Sequence, residues 1–213
     1  METEPAESTR GAAEIAKEVL DGEPAGAFRP EPGPAVEVLP GRFAEAVKAF
    51  DDAVDRAFDT IRGNPTADRV FYSASAVGDF SLIWQITSVA RALAGHEKEA
   101  LRLSTALGVE SALINIGVKS LFRRTRPTRT EHAVHGLRRP RSSSFPSGHA
   151  TSAFMAATLL SAGRPRSKLF WFALAAVVAT SRVHVRIHHG SDVAAGAVIG
   201  VGLGRLVRKI WRI

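Results

Sequence analysis

The sequence predicts an all-α fold, a bundle of about five apolar helices preceded by a tail and an amphipathic helix. Long apolar runs follow one another through the last two thirds of the chain, and basic residues lie at their ends, as in a membrane protein. Residues 1–68 carry a net charge of −8, and residues 69–213 carry a net charge of +15. An acidic segment therefore precedes a basic, apolar body.

The composition limits the classes of partner. The chain has no cysteine, so it forms no disulfide and offers no thiol chemistry. Its basic residues alternate with long apolar runs, and neither a nucleic-acid-binding motif nor an aromatic stacking platform accompanies them. We therefore expect no nucleic-acid partner.

The chain before the apolar body divides into two parts. Residues 1–40 are rich in Glu, Pro, Ala and Gly, a composition typical of a disordered acidic tail. Residues 41–66 are predicted to form an amphipathic helix and a linker, because apolar residues recur at helical spacing from Phe43 to Ile61. Aspartates, Asp51 among them, are expected on the exposed face. The helix either packs on the body or lies on a lipid surface.

Residues 67–213 are predicted to form the main domain. Its five apolar segments lie at 71–94, 101–122, 148–162, 168–186 and 192–210. The third is short for a bilayer core of ~30 Å, which needs ~20 helical residues. Taken singly, some of these segments also fit the core helices of a soluble protein.

Three short motifs follow one another in this domain. They are Lys119-x6-Arg126-Pro127, Pro146-Ser147-Gly148-His149 and Ser181-Arg182-x5-His188-x3-Asp192. Together they supply three cations, a hydroxyl, a flexible backbone amide, two imidazoles and a carboxylate. These groups are the ones needed to hold a phosphoryl group and to transfer it to histidine without a metal.

The motifs lie at the ends of the apolar segments. Lys119 ends the second segment and Ser147 opens the third. Arg182 lies near the end of the fourth, and His188 and Asp192 open the fifth. In an up-and-down bundle, the end of one helix and the start of the next lie on the same side. We therefore expect all three motifs to meet at one face.

These motifs resemble those of the type-2 phosphatidic acid phosphatase superfamily, which includes membrane lipid phosphatases, bacterial acid phosphatases, glucose-6-phosphatase and the vanadium haloperoxidases. The resemblance extends from about Phe71 to about Arg205. It implies that residues 67–213 form a membrane phosphatase domain whose apolar segments span the bilayer, with Glu110 and Asn115 facing the interior. It also implies catalysis without a metal or another cofactor.

The motif residues have expected roles. His188 is the candidate nucleophile, and Asp192, four residues further on, orients its ring as the carboxylate does in a serine-protease triad. His149 is the candidate general acid, which protonates the leaving oxygen and later activates water. Cations and the unpaired amides of a helix start favour a bound anion. The predicted phosphate-binding residues are Lys119, Arg126, Ser147, Gly148 and Arg182.

The other imidazole and basic side chains are assigned lesser roles. Four histidines lie outside the motif positions, namely His132, His135, His184 and His189. They lack the tight spacing with carboxylates that a metal site requires, so they are expected in loops or behind the site, with His189 near the substrate. Arg123 and Arg124 are interpreted as anchors at the membrane edge.

The predicted function is hydrolysis of a lipid phosphate or diphosphate, polyprenyl or phosphatidic-acid-like, through a phosphohistidine intermediate in an integral protein of the cell membrane. The alternatives are a vanadium-dependent haloperoxidase-like oxidoreductase and a non-catalytic binder of anionic lipids. The short, apolar chain disfavours the first, and the intact His149, His188 and Asp192 disfavour the second. Basic residues in short loops at the opposite end of the bundle predict an extracytoplasmic site.

Overall fold

The computed structural model describes residues 41–128, 140 and 142–211, so the predicted tail at 1–40 lies outside the described residues. All regular secondary structure in this part of the chain is helical, which confirms the all-α class. The helices are α1 (Gly41–Asp59), α2 (Pro65–Gly78), α3 (Leu82–Leu93), α4 (Glu97–Leu121), α5 (Gly148–Leu160), α6 (Pro165–His184) and α7 (Gly190–Trp211).

Helix α5 lies at the centre of the bundle. It packs against α4, α6 and α7, and nearly all of its residues are buried. Ala153, Ala156 and Ala157 lie in a core with Trp84, Leu107 and Val178. Glycines on α7 allow the two helix backbones to approach closely, as small residues do in membrane helix pairs. The central helix is therefore tightly held, and its first residues are those of the second motif.

The opposite end of the bundle is fastened by ion pairs. Arg91, at the end of α3, binds Glu99 in the first turn of α4. Arg164, just before α6, reaches the same carboxylate, with Nη2 2.7 Å from Oε1. The loop between α3 and α4 and the loop between α5 and α6 therefore lie together, at the end away from the motifs.

The apolar segment predicted at 71–94 is not one helix. α2 ends at Gly78, a short 3-10 turn covers Asp79–Ser81, and α3 begins at Leu82. Phe80 and Ser81 adopt left-handed backbone conformations, with φ of 52° and 58°, which are uncommon outside glycine. A Cβ on Gly78 would lie 2.5 Å from Cδ2 of His149, so this position requires glycine. The break brings the chain directly against a motif histidine.

Helix α1 packs on the body, against α6 and α7, through only part of the predicted apolar face. Val54 and Phe58 contact the core, whereas Phe43 and Phe50 are 55% and 48% exposed. Asp51, expected on the exposed face, is only 6% exposed. Its carboxylate accepts a hydrogen bond from the backbone N–H of Ser191 at 2.7 Å. The expectation for Asp51 was wrong, because the unpaired amides at the start of α7 draw this carboxylate inward.

Helix α4 is, within the described residues, the one helix that is both long and apolar enough to cross a bilayer by length and composition. Only 28% of its apolar window is buried inside the protein. Its outer side exposes Leu101, Val109, Leu113, Ile116 and Leu121. Apolar surface of this extent is typical of contact with lipid. The number of about five spanning helices stays a prediction.

Candidate active site

The three motifs meet at one end of the bundle, around a cavity of about 270 Å³. Five of the eight predicted site residues line it, namely Lys119, Gly148, His149, Arg182 and His188. The other three adjoin these five: Ser147 precedes Gly148, and Arg126 and Asp192 flank His188. The motifs therefore lie together, as expected from their positions at the helix ends.

His188 lies in the turn between α6 and α7 and is 2% exposed. Its Nε2 is 3.2 Å from Nη1 of Arg126. Because a guanidinium only donates hydrogen bonds, Nε2 accepts, and we assign the ring proton to Nδ1. Nδ1 lies 3.6 Å from Oδ2 of Asp192, slightly beyond hydrogen-bond length. Contacts of this kind commonly shorten once substrate is bound.

Burial sets the protonation state of His188. Removal of water around the ring lowers the pKa of His188 to about 3, against the opposing effect of the Asp192 carboxylate. The nearby charge of Arg126 acts in the same direction as burial. The imidazole is therefore neutral over the ordinary pH range, with its Nε2 lone pair unprotonated and hydrogen-bonded to Arg126.

Asp192 is fully buried in the first turn of α7, and its counter-ion is the half-buried Arg124. Its Oδ1 accepts a hydrogen bond from Nη1 of Arg124 at 2.5 Å, and its Oδ2 accepts one from the backbone N–H of His189 at 2.9 Å. The other Nη of Arg124 binds Asp51 on α1. The expectation that Arg124 anchors the membrane edge was therefore wrong, because a buried carboxylate needs an opposite charge. Arg123 is exposed.

Arg126 joins the first motif to the third. Its guanidinium donates to the carbonyl of Ile187 at 3.0 Å and to the carbonyls of Ser142 and Ser143 at 3.1 Å. These bonds fix the fork of the side chain beside His188. The positive charge of the guanidinium is thereby held next to Nε2 of His188, where it favours an anion bound at that nitrogen.

Lys119 lies near the end of α4 and is 8% exposed. Its Nζ donates a hydrogen bond to Oδ1 of Asn115 at 2.9 Å and borders the cavity. Lys119 is therefore held by a neutral partner, and its charge remains available to an anion.

The start of α5 provides backbone donors. Ser147 caps the helix, with Oγ 3.4 Å from the backbone N of Ala150, and Gly148 begins it. The backbone N–H of Ser147 donates to the carbonyl of Asp192 at 3.1 Å, which ties the second motif to the third. The unpaired amides and positive dipole end of α5 therefore point at the site.

Arg182 is 1% exposed near the end of α6. Its Nη1 donates to Oγ of Ser75 and lies 3.8 Å from Oδ1 of Asp79. Its Nε has no hydrogen-bond partner among the described residues. A buried guanidinium with a spare donor beside the cavity is well placed to bind an anionic oxygen.

His149 contacts two acceptors from the α2–α3 region. Its Nε2 lies 3.2 Å from the carbonyl of Ser75 and 3.2 Å from Oδ1 of Asp79. Both partners only accept, so Nε2 carries a proton. Asp79 therefore serves as counter-ion to both His149 and Arg182.

Sequence reasoning missed Ser75 and Asp79 as members of the site. Asp79 lies within the apolar segment predicted at 71–94. The available signal was that a charged residue within such a segment is a candidate functional residue by default. Ser75 carries no comparable signal, because its role depends on how α2 packs against α6.

Two of the other histidines, His184 and His189, do not line the cavity. His184 is 2% exposed, with Nε2 2.7 Å from Oδ1 of Asp68 and its ring stacked on Phe71 at 4.6 Å. His189 Nε2 lies 3.3 Å from the carbonyl of Thr125. His132 and His135 lie outside the described residues. No group of three or more potential metal ligands occurs in the described part of the chain.

Comparison with known proteins defines the class. The chain belongs to the PAP2 superfamily, whose family model matches residues 99–212. It is 33% identical over 137 residues to decaprenylphosphoryl-5-phosphoribose phosphatase of Mycobacterium tuberculosis, a match that covers 64% of this chain and 76% of the relative. It is 35% identical over 156 residues to the protein of the same name from Mycolicibacterium smegmatis, covering 72% and 84% of the two chains. The protein is therefore an enzyme of the phosphatase class.

Two solved structures share the fold. The transmembrane PAP2-type phosphatidylglycerolphosphate phosphatase of Bacillus subtilis superposes with a TM-score of 0.61 at 26% identity, covering 78% of this chain and 87% of its own. Aquifex aeolicus LpxE gives a TM-score of 0.61 at 24% identity, covering 82% and 99%. The helical fold described above is thus that of PAP2 membrane phosphatases.

Proposed function

We propose that the protein hydrolyses a lipid phosphate through a phosphohistidine intermediate formed on His188. The observation that carries the proposal is the arrangement around this ring. Nε2 lies beside Arg126 at the cavity, and Nδ1 faces the buried carboxylate of Asp192. A neutral imidazole oriented in this way offers its lone pair to an anion that neighbouring cations hold.

Lys119, Arg126 and Arg182 are proposed to bind the phosphate oxygens. Arg182 contributes its spare Nε donor, and the amides at the start of α5 add unpaired N–H groups. Phosphoryl transfer depends mostly on positioning and on neutralising charge at the equatorial oxygens. Three cations around one small cavity meet that requirement.

The proposed reaction has two steps. In the first, Nε2 of His188 bonds to phosphorus while the bond from phosphorus to the lipid oxygen breaks, and His149, protonated on both ring nitrogens, gives the proton on Nδ1 to that oxygen. Asp192 stabilises the positive ring that results. In the second, water attacks the phosphohistidine, His149 takes the proton from that water, and inorganic phosphate leaves with His188 restored.

The substrate is proposed to be a lipid whose headgroup enters the cavity while its chain stays in the bilayer. A cavity of about 270 Å³ lies just below the ~300–1,000 Å³ of pockets that enclose drug-sized ligands. It therefore accommodates a headgroup but not a long chain. Phe80, 82% exposed at the cavity edge, continues into the apolar surface. Because two relatives are named for a decaprenylphosphoryl substrate, polyprenyl lipid phosphates are the first class to test.

Trapping the intermediate tests the proposal. Wild-type protein incubated with a ³²P-labelled polyprenyl phosphate and quenched in alkali is expected to carry label on His188. His188→Ala should lose both turnover and label, whereas His96→Ala, at an exposed histidine between α3 and α4, should keep both. Normal turnover by folded His188→Ala protein would remove this mechanism.

A further inference from the structure

Asp51 on α1 is a buried carboxylate that the proposed reaction does not use. It is 6% exposed and does not line the cavity. Its Oδ1 accepts a hydrogen bond from the backbone N–H of Ser191 at 2.7 Å, and its Oδ2 accepts one from Oγ of Ser191 at 3.0 Å and another from Nη2 of Arg124. On balance a buried ion pair contributes little to stability, so the presence of this carboxylate points to a role in the site.

Arg124 connects Asp51 to the candidate nucleophile. Its Nη2 binds Asp51, and its Nη1 donates to Oδ1 of Asp192 and, at 2.8 Å, to Oγ of Ser191. A guanidinium holds its donors in a fixed planar fork, so the position of Asp51 determines where Arg124 meets Asp192. Asp51 itself lies before residues 99–212, the part of the chain that the family model matches.

The charge of Arg124 has to be shared if Asp192 is to act on His188. Asp192 faces Nδ1 of His188 at 3.6 Å, and it is expected to stabilise the positive ring of the intermediate. A cation at the other oxygen of the same carboxylate opposes this effect, because it compensates the negative charge and repels the ring. Arg124 and Asp192 alone would form a neutral pair, whereas the addition of Asp51 gives two carboxylates for one guanidinium. Negative charge therefore remains available to His188.

We propose that Asp51 is a positioning residue of the phosphoryl-transfer reaction, which acts through Arg124 to hold Asp192 in place and to keep its negative charge available to His188. This inference rests on the proposed function, since it requires His188 to be the nucleophile. It makes α1 a working part of the active site, although Asp51 contacts neither the cavity nor the reacting atoms.

The Asp51→Asn variant tests the role of the charge. Asparagine keeps the volume of the side chain and an oxygen that can accept from the N–H of Ser191, so the start of α7 keeps its partner. For a polyprenyl phosphate, kcat is expected to fall by about 10- to 100-fold, since a displacement of about 1 Å can cost about 100-fold in rate. The inhibition constant of inorganic phosphate should not rise, because the variant removes a negative charge and Asp51 does not line the cavity.

The matched control is Asp52→Asn, at the neighbouring exposed aspartate of α1, which should keep both wild-type values. A wild-type kcat in Asp51→Asn would overturn the inference. Phosphate binding that weakens in parallel with kcat would also overturn it, because general damage to the fold acts on both quantities.

The double variant Asp51→Asn/Arg124→Lys tests the connection through Arg124. A single ammonium group cannot reproduce the fork that binds both carboxylates, so Arg124→Lys alone should also lower kcat. Residues that act through one another show non-additive losses, so the double variant should lose little more than the weaker of the two single variants. Losses that multiply would contradict the connection. If Asp51→Asn does not fold, a wild-type kcat in Arg124→Lys counts against the inference. Failure of the proposed function would appear separately, as absence of label on His188 in wild-type protein.

Discussion

Asp79 shows how a residue outside the motifs completes the site. Its carboxylate lies 3.2 Å from Nε2 of His149 and 3.8 Å from Nη1 of Arg182. It therefore fixes the ring of the proposed general acid and balances the charge of a cation that faces the cavity. Asp79 is therefore a positioning residue, because the bond that breaks is expected to lie beside His149 and not beside Asp79.

Asp79→Asn is expected to lower kcat for a lipid phosphate by about 100-fold, the lower part of the range for loss of general acid–base catalysis. The loss should be much smaller for p-nitrophenyl phosphate, because its leaving group needs little protonation. The matched control is Asp52→Asn, at an exposed aspartate of α1, which should behave as wild type. Equal losses on both substrates would indicate a purely structural role for Asp79.

The lowered pKa of His188 predicts how stability depends on pH. The unfolded chain binds a proton on this ring near pH 6.5, whereas burial keeps the folded ring neutral to about pH 3. Protons therefore favour the unfolded state between these values, so stability is complete above pH 6.5 and falls as the pH is lowered. The loss from this group approaches about 1.4 kcal/mol per pH unit at most. Tm measured from pH 7 to 5 should fall more steeply for wild type than for His188→Gln, and parallel curves would contradict the assignment.

At the scale of single residues, the sequence predicted those site residues that belong to short motifs. The residues of the three motifs lie together because each motif is local and sits at a helix end. Asp79, Ser75 and Arg124 were missed or misassigned, because their partners are distant in the chain: Ser75 and His149 are 74 residues apart, and Arg124 and Asp51 are 73 apart. Only the packing of α1 and α2 on the bundle creates these contacts.

Among the elements, the pair formed by α5 and α7 positions the second and third motifs. Gly196 on α7 faces the start of α5, where an added Cβ would lie 2.6 Å from the backbone oxygen of Ser147 and 3.0 Å from Cβ of Ala150. The absence of a side chain here sets the distance between the motif Ser147-Gly148-His149 and Asp192.

Gly196→Ala is expected to destabilise the protein by about 1–3 kcal/mol, the usual cost of overpacking a close contact. It should also lower activity, because relief of the clash displaces the start of α5. Gly202→Ala on the same helix is the control: a Cβ there meets nothing within 4 Å, and alanine favours a helix by up to about 1 kcal/mol. Tm and kcat of the two variants are compared with those of wild type. The comparison distinguishes the effect of the close contact at Gly196 from the effect of alanine on helix propensity. A Gly196→Ala protein as stable and active as Gly202→Ala would refute the close approach.

The elements were predicted from the sequence to different degrees. The bounds of α5 to α7 lie within a few residues of the predicted segments, since capping residues and apolar runs mark them. Two features were not predictable from periodicity. The break between α2 and α3 follows from the contact of Gly78 with His149, and the inward face of α1 follows from the capping of α7 by Asp51. Both depend on tertiary contacts that override a regular pattern.

At the scale of the whole molecule, the two ends of the bundle differ in chemistry. The motif end holds the cavity and its anion-binding groups. The opposite end carries basic residues in short loops and helix ends, namely Arg91, Lys98, Arg102, Arg164, Arg166, Lys168, Arg205, Arg208 and Lys209. Glu99 pairs with two of them. An excess of basic residues close to membrane helices marks the cytoplasmic side, so the site is expected on the extracytoplasmic side.

Single cysteines decide this orientation, and the chain offers a clean background because it contains none of its own. Thr128→Cys places a thiol in the exposed chain after α4, at the motif end, and Arg166→Cys places one in the first turn of α6, at the opposite end. A membrane-impermeant maleimide applied to intact cells should label only Thr128→Cys, because the charge of the basic end is expected to keep that end in the cytoplasm. After the cells are permeabilised, both thiols should react, which shows that each is accessible. Retained phosphatase activity in both variants shows that the fold is intact. Labelling of Arg166→Cys alone in intact cells would invert the topology and place the proposed hydrolysis on the cytoplasmic side.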